Sequence, residues 1–130
     1  MGIFKVLGNL FEGDNETESV LNWKAISARE EIENILAVSN EKPQVLYKHS
    51  TRCATSYFAL KSLQNISDAK REKAEFYMID VISQRELSFY IADKLGIRHE
   101  SPQLIILNKG EVTWHGSHQL VQADSLHSNL

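Results

Sequence analysis

The chain has a single cysteine, Cys53, in 130 residues. That excludes an internal disulfide and a structural zinc site built on several thiolates. Excess positive charge is also missing: Lys plus Arg number 14 against 17 Asp plus Glu, for a net charge of −3. A nucleic-acid groove or a polybasic membrane anchor needs a positive surface, so the balance argues against both. Long hydrophobic runs are absent as well. The longest uncharged apolar stretch of note, Leu104 to Leu107, falls far short of the roughly 20 residues of a membrane helix. What is present is ordinary globular composition, 42% hydrophobic and 24% charged, in a length that suits one domain with a real core. The expectation is a soluble, cytoplasmic domain with one thiol to explain.

Residues 1–19 read differently from the rest. Ile3, Phe4, Val6, Leu7, Leu10 and Phe11 crowd around the single charge of Lys5. A signal peptide would place its charge first and end on a small-residue cleavage site. Here the acidic, turn-rich stretch from Glu12 to Ser19 follows instead. Val6 occupies the position where N-myristoylation favours Ser or Thr. The segment is expected to be an apolar arm that docks on the domain or on a partner, followed by a solvated linker, with a membrane surface as the lesser alternative. The domain proper then spans residues 20–130.

From there the periodicities are legible. Trp23 to Ile26 is a short extended segment. Ser27 with Glu30 forms a capping box, and Ala28, Ile32, Ile35 and Leu36 fall on one helical face. Val45 to Lys48 reads as a strand, followed by a loop with Cys53 and by Tyr57, Leu60 and Leu63 at helical spacing. A charged connection, Asp68 to Lys73, leads to a strand from Glu75 to Val81. Leu87, Tyr90, Ile91 and Leu95 mark a helix ended by Gly96. Gln103 to Leu107 and Val112 to His115 are strands joined by the hairpin signal Asn108-Lys109-Gly110-Glu111. Ala123, Leu126 and Leu130 suggest a final helix. Trp23, Phe76, Tyr77 and Trp114 are expected to pack in the core or at an edge. The order, β-α-β-α-β-α-β-β-α, specifies an α/β domain with a mixed sheet and helices on both faces. The thioredoxin-like fold has this order.

Cys53 follows a strand directly and opens a helix, in the run His49-Ser50-Thr51-Arg52-Cys53-Ala54-Thr55-Ser56. A thiol there faces unpaired backbone N–H groups and the positive end of the helix dipole, which lowers its pKa. Lys48 and Arg52 would add to this if they point inward. A buried structural cysteine is the common fate of a lone thiol, but the polar flanks Thr51-Arg52 and Thr55-Ser56 do not suit a buried site. Ser56 stands where a C-x-x-C dithiol carries its resolving cysteine. A hydroxyl can hydrogen-bond the thiolate but cannot displace it from a mixed disulfide, so the implied chemistry is monothiol exchange resolved by an outside thiol. Ser101-Pro102 comes just before a strand, a position proline tolerates. In thioredoxin-like folds the equivalent proline is cis, lies opposite the cysteine and exposes the preceding residue's backbone to substrate. Metal binding is not expected, since one thiol and scattered imidazoles do not make a ligand set. His99, His115 and His118 are expected to be structural. His49 is either a strand-end cap or a base near Cys53.

Lys48-His49-Ser50-Thr51-Arg52-Cys53 with Ser56, His99-Glu100-Ser101-Pro102-Gln103, and Trp114-His115-Gly116-Ser117-His118 together resemble the monothiol bacilliredoxin family, redox proteins of thioredoxin fold. The resemblance runs from about Trp23 to the C-terminus. It departs at Ala54, where many family members carry proline, with consequences for the helix start and the thiol's pKa. The resemblance implies removal of a small thiol, bacillithiol, from S-thiolated protein substrates. Cys53 is the nucleophile, assisted by Ser56, and a separate reductase recycles the small disulfide. Thr51, Arg52, Thr55, Ser101 and Pro102 are the expected substrate-binding residues. No cofactor is implied beyond the small thiol as co-substrate. The alternative is a redox-sensing or redox-silent binding module of the same fold, motivated by the N-terminal arm. A peroxidase is disfavoured, since it needs a second thiol, or a dedicated external one, plus an arginine placed to stabilise the departing oxygen.

Overall fold

The structure, a computed structural model, describes residues 21–130. The predicted arm and linker, residues 1–19, lie outside the described residues. Strand β1 (Lys24–Ala25) is followed by helix α1 (Arg29–Val38), β2 (Gln44–His49), α2 (Ala54–Leu63), a short α3 (Asp68–Lys73), β3 (Glu75–Asp80) and α4 (Arg85–Leu95). The antiparallel β4 (Gln103–Asn108) and β5 (Glu111–Ser117), a 3-10 turn at His118–Leu120 and α5 (Ala123–Asn129) complete the chain. The sheet order is β1-β3-β2-β4-β5, with β1, β3 and β2 parallel and β4 and β5 antiparallel.

Strand β2 lies at the centre and is buried on both faces, as its unbroken apolar run Val45-Leu46-Tyr47 requires. Alternate side chains divide the core in two. Val45 and Tyr47 join Phe76, Met78, Leu104 and Ile106 beneath α2 and α5, through Leu63 and Leu126. Leu46 joins Ile79, Ile105 and Leu107 beneath α1 and α4, through Ile32, Ile35, Leu87 and Ile91. Trp23 closes the first cluster, 5.5 Å from the Tyr47 ring and edge-on to Phe76 at 5.9 Å. The β4–β5 turn has Lys109 and Gly110 both at positive φ (57° and 82°), the pairing a two-residue hairpin needs. Ser39, fully buried at the end of α1, ties that turn down. Its Oγ accepts from Gly110 N–H at 2.9 Å, and its carbonyl accepts from Lys109 N–H at 2.9 Å.

Three local expectations change. The carboxylate that caps α1 belongs to Glu31, which accepts from the N–H groups of Ser27 and Ala28, both at 2.9 Å. Ala28 is the N-cap, so the Ser27–Glu30 box does not form, and only the reaching-back half of such a motif is present. The charged stretch Asp68–Lys73 is a helix, because Ser67 caps it through Lys70 N–H at 3.3 Å. Tyr57 is 45% exposed; Ser56 and Ala59 take the buried face of α2 with Leu63.

Gly116 is required by close approach. A Cβ there would lie 2.7 Å from the Trp114 ring and 2.9 Å from the Cβ of Leu120. Gly116→Ala is expected to push both side chains aside and lower stability by about 1–3 kcal/mol in urea unfolding, the usual scale of overpacking.

Candidate functional site

Cys53 is itself the N-cap of α2, in extended conformation (φ −118°, ψ 122°). Its N–H donates to Ser50 O at 3.2 Å, and its own carbonyl accepts from Tyr57 N–H at 3.2 Å. This leaves the thiol half-buried, over the first turn of the helix. The Ser56 N–H is the strongest influence holding its pKa below the ordinary thiol value. Desolvation comes second and opposes it, and the Thr55 hydroxyl, the Thr55 N–H and the Ser56 hydroxyl add to the lowering. Ser56 is fully buried and its Oγ accepts from Ser50 N–H at 3.2 Å, which leaves its own proton for the sulfur. Ser56 and Thr55 thus stand beside the thiol within one turn of helix. Ala54 starts α2 without disturbing it, and its N–H is not among the groups that hold the thiolate.

The expectation that Lys48 lends its charge to the thiolate does not hold. Side chains alternate along β2, so Lys48 points to the α4 side of the sheet and Tyr47 to the α2 side. There the fully buried Lys48 ammonium donates to Ser88 O at 2.9 Å and to His99 Nδ1 at 3.0 Å. Burial pulls its pKa down to about 8. His99 is held below its ordinary value by burial first, then by Lys48 and Arg85, with Glu100 opposing, and its ring packs tilted against Phe89 with centroids 4.5 Å apart. Thr51 and Arg52 are exposed in the loop before Cys53, and the Arg52 charge does not figure among the causes of the Cys53 shift.

The Ser101–Pro102 bond is cis. The register Lys48↔Gln103, continued by two residues, brings Pro102 level with His49 and Ser101 level with Ser50, at the end of the sheet where Cys53 emerges. Several hydrogen bonds hold this loop. His99 is bonded to Lys48, and the Gln103 side chain donates to Arg98 O at 2.8 Å. The Ser117 hydroxyl donates to Glu100, and His118 N–H donates to Pro102 O at 3.1 Å. Pro102 is buried, and the Ser101 Oγ is buried without a hydrogen-bond partner. Among the described residues, no three His, Cys, Asp or Glu side chains converge in a metal-sized cluster. None of the described helices is long and apolar enough to cross a membrane.

The site missed by sequence reasoning is Tyr47, which looks like one more core aromatic. Its hydroxyl donates to Ser56 O at 3.0 Å and lies 2.9 Å from His49 Nδ1. Burial keeps the phenol protonated far above its usual range; the Ser56 bond works against this and the nearby Cys53 charge with it. Only the tertiary contact with α2 distinguishes it from Leu46.

Two outcomes are expected. Ser56→Ala removes one of the thiolate's donors, so the pH midpoint of Cys53 alkylation by iodoacetamide rises. Lys48 sheds its proton near pH 8 when folded and near 10.5 when unfolded. The unfolded state thus holds more protons in that interval, and Lys48 makes stability rise with pH between them, by up to about 3 kcal/mol. Lys48→Met is expected to lose that rise, read as the wild-type minus variant unfolding free energy from pH 8 to 10.

The family described as Monothiol bacilliredoxin BrxC matches residues 24–126. A solved structure of thioredoxin fold, provisionally assigned as an oxidoreductase, is 28% identical, with a TM-score of 0.70 over 82% of this chain and 91% of its own. Thioredoxin from Malassezia sympodialis is 21% identical, with a TM-score of 0.64 over 82% of this chain and 86% of its own. That from Trypanosoma brucei brucei is 16% identical, with a TM-score of 0.66 over 85% and 89%. The last two likenesses concern the fold. Family and fold together support a thiol redox function of the oxidoreductase type. The chain has the thioredoxin fold and belongs to the monothiol bacilliredoxin family.

Proposed function

We propose that this protein removes a low-molecular-weight thiol, bacillithiol, from protein mixed disulfides, with Cys53 as the nucleophile. The observation that carries the reading is the pairing of a stabilised thiolate with a buried hydroxyl at the resolving position. Ser56 supports the sulfur and has no chemistry with which to displace it. The sequence holds no other cysteine, so resolution comes from outside.

In the first step the Cys53 thiolate attacks the small-thiol sulfur of protein–S–S–R. The protein leaves as its thiolate, and Cys53–S–S–R forms. In the second step a further R–SH attacks the small-thiol sulfur of that disulfide. R–S–S–R forms, Cys53 leaves as the thiolate, and the proton of R–SH is released. A separate reductase returns R–S–S–R to thiols. Ser101, unpartnered at its hydroxyl, aligns the substrate chain beside the cis Pro102, and exposed Thr51 and Arg52 meet it on the other side. Thiols are kept reduced in the cytoplasm, where such a cycle belongs.

The test is a protein carrying a bacillithiol mixed disulfide, followed by intact mass. Wild type is expected to free the substrate and gain one bacillithiol; Cys53→Ser is expected to leave the substrate capped while keeping its fold by circular dichroism. Retained turnover in Cys53→Ser, or no transfer to wild type from bacillithiol, glutathione or coenzyme A mixed disulfides, overturns the reading. Ser56→Cys is expected to change the mode of resolution. The new thiol displaces the cap, so an internal disulfide with Cys53 replaces the stable capped species in the mass spectrum.

A further inference from the structure

The second half of the exchange releases a proton, and the hydrogen bonds around Tyr47 identify a group that can take it. The Tyr47 hydroxyl has one proton and two close partners, Ser56 O at 3.0 Å and His49 Nδ1 at 2.9 Å. A carbonyl oxygen only accepts, so the Tyr47 proton goes to Ser56. The Tyr47 oxygen must then accept from His49, and His49 carries its own proton on Nδ1. In a neutral imidazole this leaves Nε2 as a lone pair. Among the described residues Nε2 has no hydrogen-bond partner, and it is not one of their buried atoms that lack one, so they leave it open to solvent.

His49 ends the strand that leads directly into the thiol's own supports. Ser50, the residue after His49, accepts from Cys53 N–H at 3.2 Å and donates to Ser56 Oγ at 3.2 Å. Tyr47 grips the carbonyl of the residue whose N–H and O–H hold the thiolate. We propose that His49 is the general base for release of Cys53 from its cap, with Tyr47 as the positioning residue that fixes its tautomer. The proposal rests on the exchange described above and deepens its second step. The incoming R–SH gives its proton to His49 Nε2 as its sulfur bonds the cap's sulfur. The Cys53–cap bond breaks, and both electrons leave with the Cys53 thiolate. His49 then passes the proton to water.

The surroundings suit a base. Burial holds His49 below the ordinary imidazole value, with Asp80 opposing, so it is neutral at pH 7. The titratable groups facing it are Tyr47 on its own strand and Asp80 at its register position on β3. Lys48 is turned to the other side of the sheet. A thiolate needs no base, so the contribution of His49 is confined to pH values where the incoming thiol is still protonated.

The test uses the full chain with Cys53 capped directly by oxidised glutathione. Release by glutathione monoethyl ester is followed by mass across pH. In His49→Asn the side-chain amide can still donate to Tyr47, but the basic nitrogen is gone. Release is expected to slow by about tenfold or more near pH 6.5, short of the roughly 100-fold at the low end of general-base effects because the ionised fraction of the incoming thiol still reacts without a base. The difference closes to within about twofold near pH 9.5, above the roughly 8.5 at which an ordinary thiol ionises. The variant's rate then follows the thiolate fraction, whereas wild type falls less steeply with decreasing pH. A rate ratio that is the same at every pH marks a structural role and overturns the proposal, as does no difference at low pH. His49→Gln is read the same way if His49→Asn unfolds on thermal melting. Because the cap is installed chemically, the assay reads His49 even if transfer from protein mixed disulfides fails.

Discussion

The supports of Cys53 trace back to strand β2, which is buried on both faces and nevertheless carries Tyr47, Lys48 and His49 in succession. A sheet buried on both sides tolerates such residues only if each polar atom finds a partner. Alternation sends Tyr47 and Lys48 in opposite directions, and each finds its partner on a different helix. Tyr47 reaches the first turn of α2, and Lys48 reaches the Ser88 carbonyl on α4. The strand end is thereby fastened to two helices. The loop that leaves it delivers Cys53 to a helix N-terminus.

That fastening extends to the cis-proline loop. Lys48 bridges to His99, two residues before Ser101, while Ser117 and His118 at the end of β5 hold Glu100 and Pro102. The three separated sequence motifs are thus one structure. The first supplies the thiol and a buried cation, the second the loop that answers it, and the third the hydrogen bonds that keep the loop in place. Gly116 in the third motif serves by having no side chain, since Trp114 and Leu120 already occupy the space. In such an arrangement the energetic weight lies in satisfied buried polar groups, whose removal exposes orphaned partners.

Much of this was legible in the residues. The strand–helix order follows from period-2 and period-3.6 patterns, and the hairpin from Lys109-Gly110, because both signals are local. The thiol at a helix start and the hydroxyl three residues on are also local relations. Where the reading failed, the cause was tertiary or a choice between near-equivalent local partners. Glu30 and Glu31 are both carboxylates within reach of the α1 start, and helix phase selected Glu31. Tyr57 shows the helical spacing of a core residue, yet the face of α2 that meets the sheet is set by Ser56, Ala59 and Leu63. Lys48 stands next to His49 in sequence, but the strand's pleat sends it to the far side.

By itself the sequence determined the order of elements, the single thiol and the lack of a second one for it to pair with. Each of these depends on residue type and on spacing within a few positions. Tertiary structure alone decided which polar groups meet. Burial of β2 between two helical layers brought Tyr47 to Ser56 and His49, and brought Lys48 to His99, across gaps of nine, two and fifty-one positions. The physical reason is that a buried hydroxyl or ammonium must be satisfied where it ends up. Where it ends up is a property of the folded sheet.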